Sequence, residues 1–457
     1  MKTVKNTEVK SVGDIFKVVG GGTPSTAVSK YWNGSIPWVT SADIDDHFTI
    51  TPRKAITKEA IENSATHLLP KGSIIVVTRV GLGKVGIAHT DLCFSQDSQG
   101  LFVDDTICDT KYAAYQLQRN VQIFKHISRG TTINGVTKKQ LLNVPFILPA
   151  LKEQKKIVEE IETQFTRLDA GVAALKRAQA NLKRYRAAVL KAACEGKLVP
   201  TEVELANAEG RSYETGEQLL QRILAERRAK WEEENKKKGG KKKYVESKGP
   251  DVSNLPKLPE GWAWATVGQL GEVKGGKRLP YGHTYSNIQT SYPYIRVVDF
   301  TNFGIKQDDL RYLSKETQNK ISRYTISKSD IYISIAGTIG LVGIVPDNLD
   351  QANLTENAAK ITTLVSINRK YLCYWLASSH GISLIANKTI ATTQAKLALY
   401  RIETIPVPLP PLSEQKRVVE DVERRLSMME EMGALLNINE KRTITLKSSV
   451  LKSFLKV

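Results

Sequence analysis

Residues that could perform chemistry occur first in a glycine-rich segment. Gly81, Gly83 and Gly86 form a G-x-G-x-x-G pattern after an apolar run, as in loops that hold the pyrophosphate of a dinucleotide. That chemistry requires a helix that opens at the last glycine, and residues 87–93 do not start one. Residues 337–343 are also glycine-rich and are also followed by an apolar run. Two glycine-rich β-turns explain both segments, and we predict no cofactor in this chain.

Residues 143–146, Asn-Val-Pro-Phe, are similar to the loop with which amino-methyltransferases hold their target nitrogen. The similarity is partial, because the second position is not proline and no glycine-rich loop for S-adenosylmethionine precedes it. The matching segment in the second half of the chain, residues 404–407, reads Thr-Ile-Pro-Val. A strand that leads into a helix explains both segments better than a catalytic loop.

An acidic segment is the remaining candidate for a reactive site. Asp43, Asp45, Asp46 and His47 carry side chains that can bind metal ions. The second half of the chain offers only Asp299 nearby, and a solvated acidic loop is the simpler interpretation. The four cysteines stand far apart, so we expect reduced structural thiols rather than a zinc site or disulfides. We find no catalytic constellation and predict no metal site.

The composition indicates the kind of partner that this chain would meet. Its 457 residues include 66 Lys and Arg against 47 Asp and Glu, which gives a net charge of +19. This balance favours a polyanionic partner, with nucleic acid as the leading candidate and a strongly solvated surface as the alternative. No stretch approaches the roughly 20 apolar residues that cross a bilayer, so we expect a soluble, cytoplasmic protein.

The signals for binding are stronger than those for catalysis. Two matching loops, residues 129–134 and 388–394, combine hydroxyl, amide and cationic side chains that suit phosphates and base edges. A helix N-cap is an equally good explanation for any single threonine there. A further basic and aromatic loop starts at Lys274 and contains Tyr281, His283 and Tyr285. The candidate DNA contacts are Arg79, Lys84, Arg129, Thr131, Thr132, Asn134, Lys274, Lys277, Arg278, Lys388, Thr392, Thr393 and Gln394.

The elements that must position these loops occur twice. The segment LKEQKKIVEEIE, from Leu151, returns as LSEQKRVVEDVE, from Leu412, and Gln154 matches Gln415 at a separation of 261 residues. This period is too long for a solenoid repeat and long enough for a domain followed by a helix. The chain is therefore a tandem duplication, and its two similar domains should read two similar or related targets.

Each copy ends in a long amphipathic helix. Apolar residues recur at seven-residue spacing at Ile161, Leu168, Leu175, Leu182 and Val189. The same positions of the second copy hold Val422, Met429, Leu436, Thr443 and Val450. A heptad seam needs a partner helix, and each copy provides one for the other. The residues alone leave the direction of pairing open, and two separate helices, each packed on its own domain, remain the alternative.

Strand-like runs, turns and helical patterns divide the chain into segments. We predict a first domain over 1–150, a central helix over 151–200, a linker with a short helix and a basic flexible segment over 201–257, a second domain over 258–410 and a C-terminal helix over 411–457. The mixture of short strands with helices is typical of an α/β or mainly β domain.

The repeated motif and the segment LPEGWAWATVGQLGEV, from Leu258 to Val273, resemble the specificity subunits of type I restriction-modification systems, the HsdS family. The resemblance implies an α+β fold, in which two similar α/β target recognition domains are separated by two long antiparallel coiled-coil helices. It implies a non-catalytic subunit that reads a bipartite double-stranded DNA target. Two modification subunits and the restriction subunits would be its partners, and S-adenosylmethionine, ATP and magnesium would belong to those partners.

Two other functions are compatible with the sequence. One is a DNA methyltransferase or nuclease fragment with its own active site, which binding of S-adenosylmethionine to the isolated chain would reveal. The other is a coiled-coil scaffold that binds no DNA and that would therefore be insensitive to salt.

Overall fold

The computed structural model of the protein describes residues 8–120, 123–124, 135–240, 243–301, 303–364, 366–389 and 395–455. The chain forms two compact units, one of Met1–Ala178 with Leu435–Val457 and the other of Gln179–Ala434. Each unit contains one domain and a part of each of two long helices. Within the described ranges, no helix combines the length and apolar character that a bilayer crossing requires.

The domain of the first unit consists of short strands and helices. Its described strands are β1 (Glu8–Ser11), β2 (Lys17–Gly20), β3 (Trp32–Val39), β4 (Lys54–Ile56), β5 (Ile74–Val77), β6 (Val85–Ile87), β7 (Cys93–Phe94), β8 (Ser98–Phe102) and β9 (Pro145–Leu148). Its described helices are α1 (Val12–Ile15), α2 (Lys58–Glu62), α3 (Thr110–Arg119) and α4 (Lys138–Leu142). One sheet has the order β2-β8-β5-β6, another has the order β4-β3-β7, and β1 pairs with β9.

Strand β5 lies between two apolar layers of the first domain. Its residues alternate between the faces of the sheet: Ile74 and Val76 pack in one cluster, whereas Ile75 and Val77 pack in another. All four are buried, which explains why this strand is a continuous apolar run rather than an alternating one. The two faces of a single strand thus join the sheet to both layers of the core.

Helices α5 (Leu151–Cys194), α6 (Glu202–Glu209) and α7 (Gly216–Lys237) follow the first domain. The sequence predicts one short helix in this region, and the described residues form both α6 and α7. Capping boxes at Thr201 and Thr215 begin these two helices. Leu219 and Ile223 of α7 are fully buried in the main core of the second domain. Helix α7 is therefore an integral part of that domain rather than of a flexible connector.

The second domain repeats the first. Its described strands are β10 (Ala263–Thr266), β11 (Gly271–Gly275), β12 (Pro293–Ile295), β13 (Arg311–Tyr312), β14 (Thr325–Ile326), β15 (Asp330–Ser334), β16 (Val342–Ile344), β17 (Ala352–Leu354), β18 (Ala358–Thr363) and β19 (Pro406–Leu409). Its described helices are α8 (Val267–Leu270), α9 (Lys315–Lys320), α10 (Arg369–Ala377), α11 (Ser379–Lys388) and α12 (Leu399–Glu403). The sheet order β11-β18-β15-β16 matches β2-β8-β5-β6 of the first domain, and β10 pairs with β19 as β1 pairs with β9. The other sheet, β13-β12-β17-β14, matches β4-β3-β7 with β14 as an additional edge strand.

Both glycine-rich segments are hairpin turns, as predicted. Strands β5 and β6 pair antiparallel across the first segment, and strands β15 and β16 pair antiparallel across the second. Gly83 and Gly340 have φ angles of 89° and 88°, a backbone region that L-residues with side chains rarely adopt. The last two residues of the segment that resembles a methyltransferase loop, Pro145 and Phe146, begin strand β9, and their counterparts Pro406 and Val407 begin strand β19, which confirms the structural interpretation.

The long helices α5 and α13 (Leu412–Phe454) pair antiparallel, which confirms the direction that the family resemblance implies. In the first unit, Lys447 forms an ion pair of 2.5 Å with Asp169, while Leu451 packs in the cluster that contains Ile161. A later residue of α13 therefore meets an earlier residue of α5. In the second unit, Arg425 donates to the Tyr185 hydroxyl at 2.7 Å.

The predicted heptad seam is the buried face of both helices. All five seam positions of α5 are buried or half-buried, and so are all five of α13. Thr443, the one polar residue of the seam, is half-buried as well. Residues between these positions are mostly exposed, as expected for helices that pack along one stripe. The seams pair with each other within each unit, so the alternative of two unpaired helices is wrong.

A buried glutamine fixes the start of each long helix to its domain. Gln154 accepts a hydrogen bond from the Asp109 amide at 2.8 Å and donates to the carbonyl oxygens of Ile107 and Pro149 at 3.0 and 2.8 Å. Gln415 accepts from the Asn368 amide at 2.9 Å and donates to the carbonyl of Pro410 at 2.9 Å. Both amide donors are N-cap residues, since Asp109 begins α3 and Asn368 begins α10. The glutamine of the repeated Glu-Gln motif therefore joins each long helix to its domain.

The four cysteines are buried and unpaired, as expected. Burial raises the pKa of Cys93 to about 11 and that of Cys108, Cys194 and Cys373 to about 12. Such thiols stay protonated at neutral pH and behave as small apolar side chains.

Candidate nucleic-acid interface

Several predicted DNA contacts lie outside the described residues. These are Arg129, Thr131, Thr132, Asn134, Thr392, Thr393 and Gln394. The predicted contacts that the structure describes lie on the β5–β6 hairpin, in strand β11 and the loop after it, and at the end of α11. Their role in DNA binding remains a prediction.

In the first domain, the structure brings Arg79 and Lys84 to the turn of the β5–β6 hairpin. Arg79 is exposed, whereas Lys84 is half-buried. The Lys84 ammonium donates to the carbonyl oxygens of Ser41 and Ile44, both at 3.0 Å. Lys84 therefore has a structural role that its sequence position did not reveal, because it holds the segment after β3 against the hairpin.

The acidic loop of the first domain uses its carboxylates internally. Asp43 accepts hydrogen bonds from the amide and hydroxyl of Thr40, and Arg53 donates to it at 2.7 Å. Asp45 accepts from the amides of His47 and Thr49, both at 2.8 Å. These contacts shape the turn after β3, as Asx-type hydrogen bonds commonly do.

In the second domain, the loop from Gly276 to Tyr292 gathers the predicted cations. Lys277 and Arg278 are exposed, and the ammonium of Lys277 lies 5.7 Å from the centre of the Tyr324 ring. Lys274 precedes the loop and forms an ion pair of 2.7 Å with Glu272. Lys277 and Arg278 thus have no carboxylate partner among the described residues, whereas Lys274 does.

The backbone of this loop is fixed at its start. The Lys277 amide donates to the Leu354 carbonyl at 2.8 Å, and the Tyr294 hydroxyl donates to the Lys277 carbonyl at 2.9 Å. Burial raises the pKa of Tyr294 to about 12, so its hydroxyl keeps the proton that it donates at neutral pH. Tyr285 packs against Tyr294 with ring centres 5.6 Å apart.

A tight turn at the tip of the loop carries a fully exposed tyrosine. The His283 amide donates to the Pro280 carbonyl at 3.1 Å, and Gly282 has a φ of 78°, as at the third position of a type II turn. Tyr281 occupies the second position of that turn, with a relative exposure of 105%. The turn presents this side chain to solvent.

Helix α9 holds the same turn from one side. The His283 ring accepts from the Lys320 ammonium through Nε2 at 2.8 Å, and its Nδ1 lies 2.8 Å from the Thr317 hydroxyl. Sequence reasoning did not single out Thr317 or Lys320, because no periodicity links them to a loop more than 30 residues earlier. Only the capping signal of Ser314, which begins α9, marks this helix in the sequence.

Two other cations of the second domain have internal partners. The Lys388 ammonium donates to the Thr404 hydroxyl at 2.8 Å, and the Lys388 carbonyl accepts from Arg401 at 2.9 Å. Arg296 forms a two-pronged contact with Asp299 at 2.7 and 3.1 Å, and these hydrogen bonds raise the pKa of Arg296. Arg296 is therefore charge-compensated, in contrast to Lys277 and Arg278.

The sequence is similar to a known family and to several known proteins. It matches the family described as "Type I restriction modification DNA specificity domain" over residues 4–177 and 259–430, which are most of both domains and parts of both helices. It is 31% identical to the type I restriction enzyme MjaIX specificity subunit of Methanocaldococcus jannaschii over 34% of this chain and 37% of that protein. It is 25% identical to the EcoBI specificity subunit of Escherichia coli over 70% of this chain and 59% of that protein. The chain thus spans less than two thirds of either relative's length.

The fold is also similar to that of a solved protein. A chain from a structure of a type I R-M system, solved to explain complex assembly and conformational transition, superposes with a TM-score of 0.67 over 99% of both chains at 17% identity. At this level of identity the likeness concerns the fold. It covers both domains and both long helices.

Proposed function

The chain belongs to the family of type I restriction-modification DNA specificity domains, and from this membership we propose that it is the specificity subunit of a type I restriction-modification enzyme. It reads a bipartite double-stranded DNA target in the cytoplasm, with one half-site for each domain. The observation that carries this proposal is that the family matches twice, once on each of two domains whose central four-stranded sheets have the same strand order. A net charge of +19 suits a DNA partner.

We further propose that the chain has no catalytic activity and docks two modification subunits together with restriction subunits. S-adenosylmethionine, ATP and magnesium would be bound by those subunits. Apolar side chains that the paired helices leave in solvent support a docking surface, since exposed apolar patches mark interaction sites. On α13, Met428 and Met432 are 54% and 51% exposed in the second unit, and Ile444 and Leu446 are 61% and 50% exposed in the first.

An exchange of one domain tests the bipartite proposal. Replacing residues 1–150 with the corresponding domain of another specificity subunit is expected to change one half-site and to leave the other unchanged, because each domain has its own core. Selection of bound duplexes from a random library would define the target of each version. If both half-sites changed together, the domains would not be separate readers.

The purified chain alone is expected to show neither DNA methylation nor cleavage. Methylation of adenine in the selected duplex should appear when modification subunits and S-adenosylmethionine are added, and cleavage should require the restriction subunits, ATP and magnesium as well. Turnover that co-purifies with the chain through successive columns would contradict this and would favour an enzyme with its own active site.

A further inference from the structure

Tyr281 is exposed in a way that packing does not explain. Single exposed apolar residues are common, but this one is both fully exposed and held at a hydrogen-bonded turn. Here the turn from Pro280 to His283 is closed by its own hydrogen bond and is tied to α9 through the His283 ring. The tyrosine thus loses backbone freedom without gaining any burial within the chain.

The cations beside Tyr281 make the same surface suitable for DNA. Lys277 and Arg278 precede the turn by a few residues and have no acidic partner among the described residues, whereas the neighbouring Lys274 does. Uncompensated cations beside an exposed aromatic ring are the combination with which proteins contact phosphates and bases together. A preorganised turn lowers the entropic cost of such a contact.

We propose that Tyr281 is a specificity-determining residue, whose ring contacts a base of the half-site read by the second domain, while Lys277 and Arg278 contact the flanking phosphates. The inference rests on the proposed function and assigns part of it to named side chains. In the first domain, the corresponding loop between β2 and β3 contains one aromatic residue, Tyr31, which is half-buried and packs against the cluster of Trp38 and Ile56. The contribution of Tyr281 is therefore confined to one half-site.

Selection of duplexes by the full-length chain, together with its modification subunits, tests this assignment. Y281A is expected to lose preference at one or two adjacent positions of one half-site and to bind the wild-type target about 5- to 150-fold more weakly. Y281F should retain both the sequence preference and the affinity, because it keeps the aromatic ring. K277A and R278A should keep the sequence preference and each reduce the slope of log affinity against log salt by about 1.

The possible results separate this inference from the function on which it rests. If wild type selects a bipartite target and Y281A selects the same target with the same affinity, Tyr281 is not a reading residue. If Y281F is as defective as Y281A, the ring contact is wrong. If wild type selects no bipartite target, the proposed function itself fails. V245A, which truncates a residue that is 83% exposed between α7 and β10, serves as the control for loss of an exposed apolar side chain.

Discussion

Q154A and Q415A are each expected to lower the free energy of unfolding by about 2–5 kcal/mol. Each substitution leaves one backbone N–H and at least one backbone carbonyl without a hydrogen-bond partner inside the protein. Both glutamines have no solvent exposure, so water cannot replace the lost hydrogen bonds. For units of this size, the loss corresponds to a fall in Tm of about 5–15 °C. Denaturant unfolding followed by far-ultraviolet circular dichroism measures the free energy.

Matched controls lie one residue away in both copies. Lys155 and Lys416 follow the glutamines and are exposed, so K155A and K416A are expected to change the free energy of unfolding by at most about 0.5 kcal/mol. Amide exchange gives a local check. The Asp109 amide should lose protection in Q154A, and the Asn368 amide should lose it in Q415A. Equal stability of the glutamine variants and the lysine controls would show that these glutamines do not secure the helices.

Patterns that repeat along the chain made much of the fold predictable. The duplication and the heptads of α5 and α13 depend on spacing alone, and the structure confirms both the paired helices and the glycine-rich hairpins. Antiparallel pairing could not be decided from the residues, because the seams of these two helices permit either direction. The antiparallel direction followed only from the family resemblance, and the ion pair between Asp169 and Lys447 then confirmed it.

Contacts between segments that are distant in sequence account for what was not predicted. Glu414 accepts from the Trp262 indole at 3.0 Å and from the Glu202 amide at 2.9 Å, which joins the start of α13 to α6 and to the segment before β10. Burial raises the pKa of Glu414, and this effect outweighs the lowering by the two hydrogen bonds. Its first-copy counterpart, Glu153, has no such partner among the described residues, so the same motif residue acts differently in the two copies.

The candidate interface shows the same limit of sequence reasoning. The basic and aromatic composition identified the loop after β11, but the anchoring of its turn depends on α9. Conversely, Lys84 was selected as a cation, and the structure shows its ammonium bonded to two backbone carbonyls. The charged residues of the sequence therefore indicate candidate surfaces. Whether the side chain of each cation is free or bonded within the protein is seen only in the tertiary structure.

Lengthening α5 and α13 together is expected to lengthen the unread gap of the DNA target. Helix α5 begins directly after the first domain and α13 directly after the second, and they pair along their seams. Heptads inserted after Leu168 and after Lys447 would lie opposite each other, because Lys447 pairs with Asp169 at 2.5 Å. One heptad adds about 10 Å, which is about 3 base pairs of duplex.

The number of heptads should matter as much as the added length. Three base pairs turn the duplex by roughly 100°, so one added heptad should select a longer gap but bind it more weakly than wild type binds its own target. Three heptads add about 31 Å, or about 9 base pairs, which is close to a full turn of 10–10.5 base pairs. Affinity for the best target should therefore recover, with both half-sites unchanged.

Selection from libraries of variable gap length measures the preferred gap and the affinity. A variant with three heptads in α5 alone serves as the control for folding, because its added residues have no partner residues in α13. A folded variant with three paired heptads that still prefers the wild-type gap would show that the helices do not set the spacing.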